Sequence, residues 1–184
     1  MPAKRSKSKD PSGSSEHQRK RILLLDDDAE LAASLKLLLE SHRLILTADS
    51  SSALSAAGFP LADFRNFDVT TVNNGAEGLH EIMKAEFDVI ICDIMMPRMA
   101  GDMFYLAVEK TKPHLCNRFL FITGHMKNPK VDIFLKKVGR LVLVKPVEID
   151  QLVAAISYVL RKTEGASEGQ ALPSKSQRQG GSSR

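Results

Sequence analysis

The chain has 184 residues, of which 43% are hydrophobic and 26% are charged, a composition typical of a globular protein large enough to bury its own core. It contains no apolar run of the roughly 18 residues that a membrane span needs, and its N-terminus has no apolar signal segment. The formal net charge of +4 is concentrated at the two ends of the chain.

Both ends are basic and polar. Residues 1–21 carry seven basic and two acidic side chains, and residues 161–184 carry five basic and two acidic ones, so the part between them has a net charge of −4. The ends are rich in Ser, Gly, Gln and Pro, which predicts disordered tails at 1–20 and 162–184 around one folded domain at 21–161. Neither tail has an aromatic residue or a recognition motif, so we do not expect nucleic-acid binding.

The folded part alternates apolar strands with amphipathic helices. Short apolar runs are typical of strands buried in a parallel sheet, and apolar residues at three- and four-residue spacing indicate helices. Five strands and five helices predict an α/β domain whose doubly wound parallel sheet is covered on both faces. The predicted strands are 22–25, 67–72, 87–92, 118–122 and 141–144. The first predicted helix, about 29–40, follows Asp28, which is well placed as its N-cap. The second has Ala76, Leu79, Ile82 and Met83 on one face, and the others are about 101–111, 129–138 and 148–161.

The chain has two cysteines, Cys92 and Cys116, in apolar surroundings and without the spacing of metal ligands. We expect both to be reduced core or near-core residues. Together with the absence of a signal segment, this predicts a cytoplasmic protein.

Polar side chains capable of chemistry follow four of the predicted strands. Asp26 and Asp27 follow the first strand, Asp93 ends the third, and Thr123 and Lys145 follow the fourth and fifth. Because the carboxyl ends of parallel strands meet at one edge of a sheet, we expect these side chains to lie together. Three crowded carboxylates repel one another, and a divalent ion such as Mg²⁺ would relieve that repulsion. Asp93 could then act as a nucleophile toward phosphorus, with Lys145 neutralising the phosphoryl group.

These residues resemble the receiver domain of two-component response regulators. The resemblance rests on Leu25-Asp26-Asp27-Asp28, on Asp93 to Pro97 with Gly101, on Thr123-Gly124 and on Lys145-Pro146. Thirty positions separate Asp93 from Thr123, and twenty-two separate Thr123 from Lys145, as the family has them. The resemblance implies a flavodoxin-like fold and a cis Lys145–Pro146 bond. Since only a polar tail follows Leu160, we expect a stand-alone receiver like the chemotaxis regulators.

The resemblance also implies a role for each residue. Asp93 would accept a phosphoryl group from a sensor histidine kinase or a histidine phosphotransfer protein. Thr123 would supply the switch hydroxyl and Lys145 the cation that binds the phosphoryl group. The protein would then signal to an unknown downstream protein, as a signalling module rather than an enzyme. The implied Mg²⁺ ligands are Asp27, Asp93, the backbone carbonyl of Met95 and, through water, Asp26.

Three features depart from the family pattern or stay open. Residues 41–66 are an insertion where the family has a tight loop, and we interpret them as a recognition element or as a loop that packs on its own domain. Part of this insertion resembles a partial echo of the next strand and helix, although we prefer 69–72 as the second strand. Val142 stands where the family has an aromatic switch residue. His125 is either a modulator at the rim of the site or an exposed loop residue.

Two other functional classes compete with a phosphorylated receiver. A pseudo-receiver would be a protein-binding module that signals without phosphorylation, but the acids, Thr123 and Lys145 are all present. A phosphate-transferring hydrolase of the haloacid-dehalogenase type would also use an aspartate at a strand end. That class requires a second Asp two residues later, where this chain has Met95.

Overall fold

The computed structural model describes residues 19–41 and 67–168, in which strands and helices alternate as predicted. The tails before residue 19 and after 168, and the insertion from 42 to 66, lie outside the described residues. The strands are β1 Lys20–Leu25, β2 Phe67–Val72, β3 Val89–Asp93, β4 Phe119–Thr123 and β5 Leu141–Val144. The helices are α1 Ala29–Glu40, α2 Gly75–Lys84, α3 Gly101–Thr111, α4 Pro129–Val138 and α5 Ile149–Glu168, with a 3₁₀ helix at Pro113–Arg118 between α3 and β4.

The five strands form one parallel sheet in the order β2-β1-β3-β4-β5. The three most buried strands, β1, β3 and β4, lie in the middle, where both faces of the sheet are covered. At one edge, β2 alternates buried and exposed residues, because its sequence alternates apolar and polar side chains. The prediction of a doubly wound α/β sheet is confirmed, and 67–72 is the second strand.

Helices cover both faces of the sheet and bury two apolar layers. Alternate residues of β1 belong to different layers, since successive side chains of a strand point to opposite faces of the sheet. Ile22 and Leu24 lie in one layer, and Leu23 and Leu25 lie in the other. The first layer is completed by α1 and α5, and the second by α2, α3 and α4. The helix residues of these layers include Ala32, Leu39, Leu152 and Ile156 in the first and Ile82, Phe104, Val108, Val131 and Leu135 in the second.

The inner face of α2 is only partly as predicted. Ile82 is buried and Leu79 packs against the same layer, but Ala76 is exposed and Met83 is 65% exposed. The other buried positions of α2 are Gly75 and Gly78. A Cβ atom on Gly78 would lie 2.6 Å from Leu25 Cδ2, so α2 approaches the sheet closely there and a larger residue would force the Leu25 side chain to move. Apolar spacing alone missed the two glycines because glycine has no side chain that would mark it as buried.

The C-terminal helix is longer than predicted. We expected it to end at about residue 161, but α5 continues to Glu168. The Thr163 hydroxyl donates to the carbonyl oxygens of Val159 and Leu160, and Glu164 accepts a hydrogen bond of 2.7 Å from Lys20 on β1. The helix therefore continues into sequence whose composition favours a tail. The described part of the chain contains no helix with the length and apolar character needed to cross a bilayer.

The strand order places a topological switch point at the ends of β1 and β3. The chain runs from β1 outward to β2 and then returns past β1 to β3, so the connections leave these two neighbouring strands in opposite directions. In open parallel sheets, ligands bind at such a switch point, beyond the carboxyl ends of the strands. Asp26 follows β1 and Asp93 ends β3, so both lie at this point.

Candidate functional site

Five of the predicted residues come together at the carboxyl edge of the sheet. Leu25 pairs with Cys92 and Asp93 pairs with Ile122, which brings Asp26 beside Asp93 and Asp93 beside Thr123. Thr123 in turn pairs with Val144, the residue before Lys145. Register alone therefore sets the neighbours in the site, and Asp26, Asp93 and Thr123 are all buried.

Lys145 joins the two buried carboxylates. Its ammonium nitrogen lies 2.8 Å from Asp26 Oδ2 and 2.6 Å from Asp93 Oδ2. The Lys145 side chain is 24% exposed, whereas those of Asp26 and Asp93 are 2% and 7% exposed. The contacts are charge-assisted hydrogen bonds, which are stronger than those between neutral groups. One cation therefore compensates two acids that the sheet holds side by side.

Backbone amides orient both carboxylates. The Met95 N–H donates to Asp93 Oδ1, and the Asp28 N–H donates to Asp26 Oδ1, each at 3.0 Å. The Asp26 N–H donates to Val72 O on the neighbouring strand. Each acid thus has one oxygen on a backbone amide and the other on Lys145. The carboxylates are held in place by groups that belong to the fold.

Asp27 and Asp28 have different surroundings although they are adjacent. Asp28 is the N-cap of α1, as predicted, since its side chain accepts from the amides of Glu30 and Leu31. Asp27 is exposed and has a carboxylate oxygen within 4.8 Å of oxygens from Asp26 and Asp93. Three carboxylates with one open to solvent form an oxygen-only donor set, which is the kind that Mg²⁺ prefers.

Burial and hydrogen bonding shift the pKa values at this site. Burial raises the pKa of Asp26 above its usual value, and the hydrogen bonds from Lys145 and the Asp28 amide offset only part of that effect. For Lys145, burial lowers the pKa, but hydrogen bonds to Asp26 and Asp93 outweigh it and the net shift is upward. The upward pKa shifts of Asp26 and Lys145 are consistent with each other, because Lys145 faces two acids while Asp26 faces one cation and a second acid. The ammonium is therefore held firmly in its charged form.

Thr123 and the residues after it form the wall of the site next to Asp93. The Thr123 side chain is fully buried, and its hydroxyl oxygen accepts from the His125 N–H at 3.0 Å. The Lys145 N–H donates to Thr123 O, and the Lys145–Pro146 bond is cis, as the resemblance implies. His125 is exposed, so its backbone is tied to the site while the role of its imidazole ring stays a prediction.

Two residues support Asp93 in ways that the sequence did not indicate. A Cβ atom on Gly101 would lie 2.2 Å from Asp93 O, so only glycine allows α3 to begin this close to the strand end. Cys92 is buried and free, and its thiol donates to the same carbonyl at 3.1 Å. Burial, with Asp93 nearby, raises the Cys92 pKa well above its usual value, so the thiol stays protonated. From the sequence we expected only a core or near-core position for Cys92, and Gly101 entered only as part of the family motif.

The core near Val142 contains aromatic rings from other elements. Val142 lies on β5, paired with Phe121 of β4, and is partly buried in the layer under α3 and α4. Phe121 contacts Phe134 of α4 at 5.5 Å between ring centroids, and Tyr105 of α3 lies 5.8 Å from both rings. Aromatic contacts therefore link β4 to α3 and α4 although position 142 has no ring.

A family comparison agrees with this geometry. The model of the response regulator receiver domain matches residues 45–157, which is more than half of the chain. The matched range begins after β1, Asp26 and Asp27. The place of those residues in the site therefore rests on the sheet, in which β1 lies between β2 and β3, and on the contact between Asp26 and Lys145.

Individual proteins show the same similarity. The transcriptional regulatory protein GlrR of Escherichia coli strain K12 is 28% identical over 131 residues, which cover 70% of this chain and 29% of GlrR. The chemotaxis protein CheY4 of Vibrio cholerae is 28% identical with a TM-score of 0.55, covering 77% of this chain and 99% of that structure. A CheY-like receiver domain protein of Methanospirillum hungatei JF-1 shares the fold at 23% identity, with a TM-score of 0.58 over 80% of this chain and 98% of its own. The chain thus spans less than a third of GlrR.

Proposed function

The chain belongs to the response regulator receiver domain family, and from this premise we propose that it is a phosphoacceptor in a two-component phosphorelay, phosphorylated on Asp93. The observation that supports this most is the contact of Lys145 with Asp26 and Asp93 at the edge of the sheet. A carboxylate that accepts a phosphoryl group needs a cation within reach of the incoming oxygens. Lys145 meets this requirement, because its ammonium group lies at hydrogen-bonding distance from Asp93.

The acidic cluster fits a hard divalent ion. Three carboxylates offer oxygens within 4.8 Å of one another, and the only cation among them is Lys145 in the described part of the chain. We assign Asp27 and Asp93 as direct Mg²⁺ ligands, with the Met95 backbone carbonyl as a third and Asp26 acting through water. When bound, Mg²⁺ supplies positive charge that stabilises the charge on the phosphoryl oxygens.

The proposed transfer moves a phosphoryl group from a phosphohistidine to Asp93. A carboxylate oxygen of Asp93 forms a bond to phosphorus while the phosphorus–nitrogen bond breaks. The bonding electrons remain on the imidazole nitrogen, which takes up a proton from solvent. The Lys145 ammonium neutralises charge on the phosphoryl oxygens, and the Thr123 hydroxyl, which is adjacent to Asp93 through the β3–β4 register, donates a hydrogen bond to one of them.

The partners follow from this chemistry. The donor is a sensor histidine kinase or a histidine phosphotransfer protein, and the output is a contact with a downstream protein. We place the exchange in the cytoplasm, where the free thiols of Cys92 and Cys116 stay reduced. On this view His125, at the rim of the site, modulates how water reaches the phosphoryl group.

Intact-mass spectrometry tests the proposal. Incubation with acetyl phosphate and Mg²⁺ should add about 80 Da, the mass of one phosphoryl group on a carboxylate nucleophile, and EDTA should prevent the gain. Asp93→Asn should gain nothing, because the amide is not a nucleophile toward phosphorus. Labelling of Asp93→Asn would place the acceptor elsewhere. A folded wild-type protein that takes up no phosphoryl group would instead be a pseudo-receiver.

A further inference from the structure

We propose that this domain has a second anion site, a cleft at the amino edge of the sheet that binds an oxyanion, meaning a single phosphate or carboxylate group. The cleft lies where β4 and β5 begin, at the opposite edge from Asp93, and has a volume of about 160 Å³. We call it the Arg140 cleft. The residues that define it are Asn117, Arg140, Leu141, Tyr158 and Lys162.

Arg140 is fixed in this cleft by neutral partners. Gly139 ends α4 in the left-handed conformation, with a φ of 58°, and so turns the chain toward β5. The Arg140 Nε–H donates to the hydroxyl of the buried Tyr105 at 3.3 Å, and Nη1 donates to Asn117 Oδ1 at 2.9 Å. The guanidinium is therefore oriented by two hydrogen bonds, yet neither bond cancels its charge.

A second cation lines the same cleft. Lys162 projects from α5, with its ammonium nitrogen 5.9 Å from the centroid of the Tyr158 ring. Among the residues that the structure describes, no carboxylate lies within 4.0 Å of the charged nitrogens of Arg140 or Lys162. The described residues therefore leave the positive charges of Arg140 and Lys162 uncompensated, which favours an anion as the occupant of the cleft.

A second basic cleft in the described part of the domain provides a contrast. It has a volume of about 260 Å³ and is lined by basic residues that include Lys20 and Arg118, but Glu86 and Asp88 line it too. Lys20 lies 2.7 Å from Glu164 and 3.8 Å from Asp88, and Arg118 lies 3.7 Å from Glu86. Those cations are neutralised by the protein itself. The Arg140 cleft has no acidic residue in its lining and so keeps its positive potential.

The donors in the Arg140 cleft match one oxyanion group. The guanidinium offers a planar fork, the Lys162 ammonium offers a mobile point charge, and Asn117, whose Oδ1 is engaged by Arg140, has its amide N–H groups left to donate. The volume of about 160 Å³ is large enough to admit one such group of four or five heavy atoms. The group could be free inorganic phosphate or the carboxylate of an acidic protein side chain.

This inference is independent of phosphorylation on Asp93, because the two sites lie at opposite edges of the sheet. Its test uses the unphosphorylated full chain without Mg²⁺ or acetyl phosphate, and NMR signals near the cleft distinguish it from anion binding at Lys145. The two probes are inorganic phosphate and a blocked triglutamate peptide, with sodium chloride at equal ionic strength as the baseline. The signals to follow are the Asn117 side-chain amide and the backbone amide of Leu141.

Saturable shifts of these two signals with at least one probe, beyond those that chloride causes, are the expected result. Arg140→Gln and Lys162→Gln should each weaken binding about tenfold, as expected when one charge-assisted contact is lost. Lys84→Gln, which removes an exposed lysine on α2, should bind like wild type. Lys162 is exposed, so its variant tests the cleft even if Arg140→Gln folds poorly.

The relative response to the two probes identifies the source of the oxyanion. Binding of phosphate alone assigns the cleft to a small free ion, and tighter binding of the peptide assigns it to an acidic side chain of a protein. Shifts that do not saturate, or that are the same in Lys162→Gln and in Lys84→Gln, would overturn the proposal.

Discussion

The ammonium nitrogen of Lys145 lies 2.6 Å from Asp93 Oδ2. Lys145 follows β5 and Asp93 ends β3, two strands that are not neighbours in the sheet. The same nitrogen contacts Asp26, so Lys145 reaches past β4 to compensate both acids at the switch point of the sheet. In the unphosphorylated protein Lys145 compensates two buried carboxylates that would otherwise repel each other. The proposed function uses the same cation to neutralise a phosphoryl group, which links the stability of the resting site to its chemistry.

Replacing Lys145 should therefore destabilise the domain. Lys145→Met leaves Asp26 and Asp93 buried beside each other without a cation, and we expect it to lower the free energy of unfolding by about 1–3 kcal/mol in EDTA. Mg²⁺ should recover part of this loss in Lys145→Met, because it supplies positive charge to the same acids. Urea unfolding with and without Mg²⁺ measures both effects. Lys84→Met, which breaks an exposed pair with Glu81, should change stability by less than about 0.5 kcal/mol.

Asp27 and Asp28 should separate metal binding from helix capping. Asp27→Asn removes one carboxylate from the acidic cluster, so Mg²⁺ affinity and phosphorylation should both be lost, while stability stays near wild type because Asp27 is exposed. Asp28→Asn should retain both activities, since asparagine caps a helix as well as aspartate does. Calorimetric titration with Mg²⁺ and intact-mass analysis provide the two measurements. Wild-type Mg²⁺ binding by Asp27→Asn would show that the metal site has been misplaced.

Gly101 should be intolerant of even one added methyl group. A Cβ atom there would lie 2.2 Å from the Asp93 carbonyl oxygen, which is a backbone atom and cannot move away cheaply. We expect Gly101→Ala to cost about 1–3 kcal/mol of stability, the usual cost of overpacking a core. Gly124→Ala is the matched control, because its Cβ would meet only Lys145 Cβ at 3.9 Å. Equal unfolding midpoints in urea for these two variants would mean that α3 can shift away from β3.

Glu86 should contribute stability that depends on pH. A hydrogen bond from Lys112, supported by His114, lowers the pKa of Glu86 below its usual value of 4.5. An acid whose pKa is lower in the folded state stabilises the protein above the unfolded pKa, and this contribution is lost as the pH falls through the folded pKa. At pH 6 the free energy of unfolding of wild type should exceed that of Glu86→Gln by up to about 1 kcal/mol. The effect is small because Glu86 is 54% exposed. The difference should shrink below pH 4.5 and in high salt, as measured by urea unfolding. A difference that stays constant with pH would exclude the carboxylate as its source.

Much of the fold could be predicted because its signals are local. Apolar runs marked β1, β3 and β4, and helical spacing gave the bounds of α1, α3 and α4 as the structure has them. Asp28 could be identified as a cap because it directly precedes an amphipathic segment. Where a helix packs through glycine, as α2 does at Gly75 and Gly78, the local pattern gave only part of the inner face. Where a helix continues into polar sequence, as α5 does, composition placed its end too early.

The candidate site, like the fold, could be predicted only in part from the sequence. The sequence by itself determined which polar residues follow which strands, because a strand in a parallel sheet delivers its last residue to one common edge. Only the tertiary structure decided that Lys145 contacts Asp26, 119 positions away, as well as Asp93, and that Asp26 is buried while Asp27 is exposed. It also decided that Arg140 has no acidic partner among the described residues. These facts depend on strand order and on the distances between segments far apart in the chain, and no local pattern of residues encodes them.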